Sequence, residues 1–198
     1  MNMDIQKDKE YILGIKKYIL IIAIIFVVAI FLGTILPEKS PEIKEEAKNL
    51  AHTKAPDLSK LQRVSDIFLY NVEYSFLSVV MFGIIAILSA FNNGFAIGML
   101  FNFVGKMHGV SIVILELAPH GLIEIPALLI SASIGLRIGH VWWSGKWLSR
   151  EWIENMKQEL TSGLRFYIRY IVPLFLIAAV IESYVSQELW NYIDLFIR

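Results

Sequence analysis

Residues 18 to 36, from Tyr18 to Leu36, run without a single charge, and nothing else in the sequence restricts the fold as tightly. At about 1.5 Å of rise per residue, a helix of that length nearly crosses a hydrocarbon layer of about 30 Å. Water is absent there, so the backbone must satisfy its own hydrogen bonds, and the run reads as a membrane helix. Lys7, Lys9, Lys16 and Lys17 precede it, as they would in a secretory leader. The apolar stretch is longer than the roughly 7 to 15 residues of such a leader, and it ends at Leu36-Pro37-Glu38 rather than at small cleavage residues. It is read as a retained span.

The rest of the 198-residue chain agrees, with 56% hydrophobic against 18% charged residues. A mean hydropathy of +0.58 over one domain's length points to lipid as the solvent. Charges balance at 18 against 18, so no basic field exists to hold nucleic acid. The absence of Cys excludes thiol catalysis, disulfides and thiolate metal sites.

Residues 37–73 contain six basic and seven acidic side chains and open with Pro-Glu-Lys-Ser-Pro, a solvated loop. Asp57 can cap an interfacial helix in which Leu58, Leu61, Val64 and Phe68 share a face. The run from Tyr74 to Val104 is uncharged but too long for one ordinary span, and Asn92-Asn93-Gly94 is a local break signal within it. Either a second span ends there and a shorter third begins, or one long helix is broken. Gly94 to Val104 is short enough to be re-entrant instead. A fourth, discontinuous span extends from Ser111 through Pro119-His120-Gly121 and Pro126 to Gly139, and a fifth covers Ile168 to Tyr184. The tail, residues 185–198, has a weak amphipathic face through Leu189, Ile193, Phe196 and Ile197.

The expected fold is all-α, a polytopic transmembrane helix bundle of about five spans with a kinked Pro-His-Gly span. Five crossings put the N-terminus (1–17) and the 141–167 loop on one side, and both are rich in Lys and Arg. The positive-inside rule assigns that side to the cytoplasm, with the 37–73 loop outside. Trp142, Trp143, Trp147 and Trp152 suit an interfacial aromatic belt. Arg137 and His140, like Arg165 and Arg169, read as side chains snorkelling to headgroups. Glu73 and Glu182 read as interfacial, at the start of the second span and the end of the fifth.

Lipid solvates Leu as well as a protein core does, so spans gain packing energy by close backbone approach at small residues. Ala86, Ala90, Gly94 and Gly98 recur at four-residue steps, as do Ala127, Ser131, Gly135 and Gly139. Each row forms a groove for a neighbouring helix, either inside one bundle or on a self-association or partner face.

Ionisable groups within the apolar region require an explanation. Glu116, His120 and Glu124 are spaced by four, but Pro119 argues against a continuous helix. A restart near Pro119 would leave His120 and Glu124 one turn apart at a helix N-terminus, and Pro126 would leave the Leu122 carbonyl without its usual partner. The group could serve as a metal site, although ligands are few and HExxH is missing. It could couple protons or ions in a permease, or attack peptide bonds, for which no nucleophile accompanies it. Or it could be structural, locking the kinked span against Asn92, Asn93 or Asn102.

The segments Asn-Gly-Phe-Ala-Ile-Gly at 93–98 and Pro-His-Gly-Leu-Ile-Glu-Ile-Pro-Ala at 119–127 closely resemble the stage II sporulation protein M family. The matching hallmark positions are Pro119, His120, Gly121, Glu124, Pro126 and Ala127. The resemblance implies an integral membrane protein of about five spans. It further implies a scaffold like the family's namesake, which joins partner membrane proteins and brings peptidoglycan-degrading enzymes to the engulfing septum of spore formers. The expectation is a non-enzymatic, multi-pass protein of the cell membrane without metal or cofactor. Its partners are the bilayer and other membrane proteins or further copies of itself, and the alternative is a permease using His120 and Glu124.

Overall fold

The computed structural model describes residues 2–35 and 59–186. Every regular element among them is helical: α1 (Asn2–Gly14), α2 (Lys16–Ile35), α3 (Lys60–Val80), α4 (Ile84–His108), α5 (Val110–Gly121), α6 (Glu124–Ser144), α7 (Arg150–Phe166) and α8 (Val172–Ile181). Wide π turns at Tyr167–Ile171 and Glu182–Ser186 keep the chain helical from Arg150 onward. Pro173 explains the first of these turns. Its ring removes the amide that Arg169 would bond and crowds that carbonyl, and the ladder widens to relieve both.

The chain crosses the bundle five times. Phe26 of α2 meets Gly94 of α4, and Ile30 meets Gly98, so α2 and α4 run parallel. Ser78 meets Gly135 and Phe82 meets Gly139, so α3 runs parallel to α6. The last helix returns antiparallel to α3, with Tyr167 bonded near Val72 and the Lys60 ammonium 5.0 Å from the Tyr184 ring. One end of the bundle therefore gathers α1, the Met81–Gly83 turn, the end of α6 and the start of α7. The opposite end holds Ile35, Ser59, His108 and Glu124. Four helical stretches are long and apolar enough to cross a membrane: Lys16–Ile35, Ile84–Met107, Glu124–Ser144 and Arg150–Val185. The fifth traverse, α3, is as long as α6 but carries Lys60, Arg63, Asp66 and Glu73.

Several boundaries differ from those expected. The helix expected through Leu61, Val64 and Phe68 is present, but it is continuous with the second traverse as α3, which begins at Lys60 under a capping box in which the Gln62 amide donates to Ser59 Oγ (3.3 Å) and the Ser59 amide to Gln62 Oε1 (3.1 Å). The proposed cap at Asp57 and residues 36–58 as a whole lie outside the described residues, as do 187–198 of the tail. Glu73 lies well inside this continuous helix. Likewise, 141–167 is not a loop: only residues 145–149 separate α6 from α7, whose first turn is capped by Ser149 Oγ accepting from the Trp152 amide.

The break in the long apolar run is also elsewhere. Helix α4 passes unbroken through Asn92-Asn93-Gly94, so Gly94 to Val104 is neither a separate short span nor a re-entrant half-helix. Asn93 Nδ2 donates to the Ser89 carbonyl within α4 (2.9 Å), so its amide is satisfied without a turn. The reversal occurs at Met81–Gly83, where Phe82 (φ 48°) and Gly83 (φ 86°) are both left-handed. That backbone costs Phe82 about 1–3 kcal/mol. Its ring stacks on Trp142 at 4.3 Å, and its carbonyl packs on Gly139. Finally, the helix after the Pro-His-Gly stretch restarts at Glu124, not Pro119. Pro126 then occupies the first turn of α6, where amides have no intrahelical acceptor and none is lost.

The core lies between α2, α3, α6 and the final helix, around Ile15, Ile134, Ile138, Tyr167, Ile171 and Phe175, and a smaller seam of Ile22, Ala86, Ala90 and Ala132 joins α4 to it. A Cβ added at Gly135 would overlap the Ser78 carbonyl and stand 3.2 Å from the Val79 Cα, whereas one at Gly121 would meet only the Ile125 side chain at 3.7 Å. Gly135→Ala is expected to destabilise the bundle by about 1–3 kcal/mol, as other overpacking substitutions do. Gly121→Ala should leave the thermal midpoint in detergent nearly unchanged; equal effects would remove the close-packing account.

Candidate functional site

The small-residue rows point inward. Gly94 and Gly98 lie under the carbonyls of Phe26 and Ile30 of α2, and Gly98 faces Gly33 so closely that a Cβ would stand 2.9 Å from the Gly33 Cα. Ala86, Ala90, Ala127 and Ser131 are fully buried, and Gly135 and Gly139 receive α3 and the turn that follows it. Asn102, also buried, donates to the Gly33 carbonyl at 3.4 Å.

The sequence-derived polar group is divided between two helices. Glu116, Pro119 and His120 belong to α5 and Glu124 opens α6, with Leu122 and Ile123 between the two. The side chains of Glu116, Pro119 and His120 lie outside the described part of the structure. Glu124 is half-buried and engaged rather than free. Its place in the first turn of α6 sets a carboxylate against the positive end of the helix dipole. Asn92, on α4, is exposed, and Asn93 bonds within its own helix.

A second polar constellation, unforeseen from sequence, sits at the opposite end of the bundle, where α1 lies against α7. Asp8 is only 3% exposed and accepts from Arg169 Nη1 at 2.8 Å and from the Tyr170 hydroxyl at 3.1 Å, with Arg165 Nη2 3.3 Å away. Glu159, 7% exposed, accepts from the Tyr11 hydroxyl at 2.9 Å and pairs with Arg137 Nε at 2.8 Å. The Arg137 guanidinium also lies 4.9 Å over the Tyr11 ring. Lys7, Glu10, Arg137, Glu159, Ser162 and Arg165 line a cleft of about 420 Å³ beside these pairs. The arginines read as snorkelling pair with buried carboxylates where α1 folds back over them, while the side chains of Arg165 (37% exposed) and Arg169 (42%) remain partly exposed. Gly14 makes that approach possible, since a Cβ there would stand 2.6 Å from Arg137 Nη1.

Chemically, the constellation is a set of ion pairs, three arginines on two carboxylates, that pins α1 to the bundle. Burial pushes the Tyr11 hydroxyl well above the ordinary tyrosine range, and the facing Glu159 carboxylate raises it further by disfavouring a second negative charge. A signal for it existed in the sequence. Asp8, Tyr11 and Ile15 share one face of a helix, and Met156, Glu159, Gly163 and Phe166 share another, each an i, i+3, i+7 pattern in a segment otherwise polar.

The family model described as Stage II sporulation protein M matches residues 12–187. The chain belongs to that family. It is a membrane protein of the stage II sporulation protein M type, and the match takes in every traverse of the bundle together with the Pro-His-Gly joint. No curated protein and no solved structure matches the chain.

In Tyr11→Phe, the absorbance change from tyrosine ionisation near pH 10 should equal that of the wild type, because Tyr11 stays protonated there. A loss of one tyrosine equivalent would contradict its burial. The stabilisation from this proton is complete below pH 10. It declines above that pH, where the unfolded chain releases its proton first. Arg137→Met and Glu159→Gln should each destabilise by about 3 kcal/mol, as removal of one member of a buried pair does. The double variant should cost clearly less than their sum; strict additivity in the double-mutant cycle would show that the two groups are not coupled.

Proposed function

We propose that this chain is a non-enzymatic, multi-pass protein of the cell membrane that serves as a scaffold, docking other membrane proteins against its outer helix faces. The observation that carries this reading is the closure of the two main seams at backbone level. Gly33, Gly94 and Gly98 bring α2 against α4, and Gly135 and Gly139 bring α3 against α6. Helices in such contact form a support that is difficult to open, whereas alternating access needs repeats that rock apart.

The bundle leaves extensive apolar surface on its periphery, including Leu20, Val27 and Phe31 of α2 and Leu69 and Leu77 of α3. Lipid or a partner span covers such faces. Lys7, Lys9, Lys16, Lys17, Lys146 and Arg150 collect at the end that holds α1 and the α6–α7 link, and the positive-inside rule supports a cytoplasmic position for that end. The α1 arginine and carboxylate network then forms a rigid cytoplasmic platform. The His120 and Glu124 joint sits at the opposite end as a structural corner, with family membership supporting the scaffold assignment over a hydrolytic one.

Glu124→Gln is expected to reduce folded yield or assembly, with no pH-dependent flux in reconstituted vesicles to lose. Uptake that vanishes in Glu124→Gln while the protein stays monodisperse and thermally unchanged would replace the scaffold with a permease. Because the chain has no Cys, Ser149→Cys reports sidedness cleanly: an impermeant maleimide should label it only after cells are opened, and labelling of intact cells would invert the orientation.

A further inference from the structure

We propose that the cleft between α1 and α7 binds one phosphate anion, carried by the headgroup of an acidic phospholipid or free in solution. The site does not depend on the docking reading above; it rests on positive charge that the network fastening α1 to the bundle leaves uncompensated.

Two helices present matching faces to the cleft. On α1, Lys7 and Tyr11 are four residues apart, and on α7 Gln158, Ser162 and Arg165 follow at steps of four and three, so each set lines one side of the space of about 420 Å³. Arg137 joins them from α6, its guanidinium 4.9 Å over the Tyr11 ring. Lys7 and Gln158 are exposed at the mouth, whereas Tyr11 and Glu159 are buried. A concave site of this size with a few convergent polar groups suits a small ligand or a headgroup.

Donors outnumber acceptors in this space. Its walls carry Lys7, Arg137 and Arg165 against Glu10 and Glu159. Both carboxylates are engaged: Glu159 Oε1 accepts from the Tyr11 hydroxyl and pairs with Arg137 Nε at 2.8 Å, and Glu10 Oε1 accepts from Gln6 Nε2 at 2.9 Å. Asp8, beside the cleft, is divided between Arg165 Nη2 at 3.3 Å and Arg169 Nη1 at 2.8 Å. Among the described residues the Lys7 ammonium has no ion pair, and Arg137 Nη1 and Arg165 Nε are buried without a hydrogen-bond acceptor. Buried donors in that state call for an acceptor, and the planar guanidinium fork is complementary to phosphate oxygens. A phosphate seated between Lys7 and the two arginines supplies acceptors to this set and offsets its excess positive charge.

The position of the cleft favours a lipid as the carrier. Along the helix that starts at Arg150, Glu154, Lys157, Gln158 and Thr161 are exposed and polar, whereas from Ile168 (64% exposed) onward the exposed side chains include Leu176, Ile177 and Val180. Arg165 and Arg169 stand at the change from one to the other, and on α1 Ile5 is 52% exposed. Headgroups meet a protein at such a boundary, and basic pockets there hold acidic ones. A zwitterionic headgroup would bring a further cation into a cleft that already has too many.

The test uses the full chain, delipidated in a nonionic detergent, with native mass spectrometry to count bound lipid. Short-chain phosphatidylglycerol should form a one-to-one adduct, and phosphatidylcholine of the same chain length should bind about tenfold more weakly. Lys7→Glu should weaken phosphatidylglycerol binding by about tenfold, and Gln158→Glu, which also sets a negative charge at the mouth, should act in the same direction. Lys146→Glu, a matched reversal at the same end but outside the cleft, should leave binding unchanged. All three residues are exposed, so the lipid-free thermal midpoints should match that of the wild type. Inorganic phosphate separates the two carriers. A phosphatidylglycerol adduct that depends on Lys7 and Gln158 but not on Lys146 supports the site with lipid as its carrier, whether or not phosphate displaces it. Inorganic phosphate that raises the thermal midpoint of the wild type but not of Lys7→Glu, with no phosphatidylglycerol adduct, supports the site with a soluble carrier. Equal binding of the two lipids, equal losses in Lys7→Glu and Lys146→Glu, or no response to either probe would overturn it.

Discussion

Contact between helix backbones, made possible by missing side chains, is the constraint on which the architecture depends. Lipid gives apolar side chains no incentive to leave it, so the spans associate only where surfaces fit closely enough to gain dispersion energy. Gly94 and Gly98 admit α2, and Gly135 and Gly139 admit α3. The tight turn at Phe82 and Gly83 follows from the second contact. Because α3 is held against α6 through Ser78 and again through the Phe82 carbonyl, the chain must reverse within three residues to return as α4. The strain at Phe82 is offset by its ring stacking on Trp142.

The same packing determines where charge can sit. Helix α1 is short and mostly polar, yet it is fixed to the bundle because Asp8 and Tyr11 meet arginines and a carboxylate projecting from α6 and the last helix. None of these groups would be stable in that place alone. Arg137 without Glu159, or Asp8 without Arg165 and Arg169, would be a buried unpaired ion. The network is thus a lock that closes only when α1, α6 and the final helix are all in register.

Much of this was legible in the residues. The charge-free run at 18–36, the two four-step rows of small residues and the Pro-His-Gly hallmark pointed to an all-helical membrane bundle with tight internal seams and to its family. The joint after Pro119 was legible as an interruption, though its position was displaced by several residues, because the helix continues through His120 to Gly121 and the next begins only at Glu124.

Periodicity, hydropathy and small-residue spacing are properties of a segment against its solvent, and for these the chain alone sufficed. It also set the helical state, since no other backbone tolerates lipid over such lengths. What only the tertiary structure decided was which local signals prevail when two compete. Asn92-Asn93-Gly94 resembles a turn in isolation, yet the helix runs through it because Gly94 is needed beneath the Phe26 carbonyl, while Phe82 adopts a left-handed backbone that no local rule would assign to it. Likewise Arg137, Arg165 and Arg169 are long cations near span ends by sequence, and they become partners of Asp8 and Glu159 only because residues more than twenty positions away fold back over them. Such pairings depend on the free energy of the whole assembly, which no window along the chain contains.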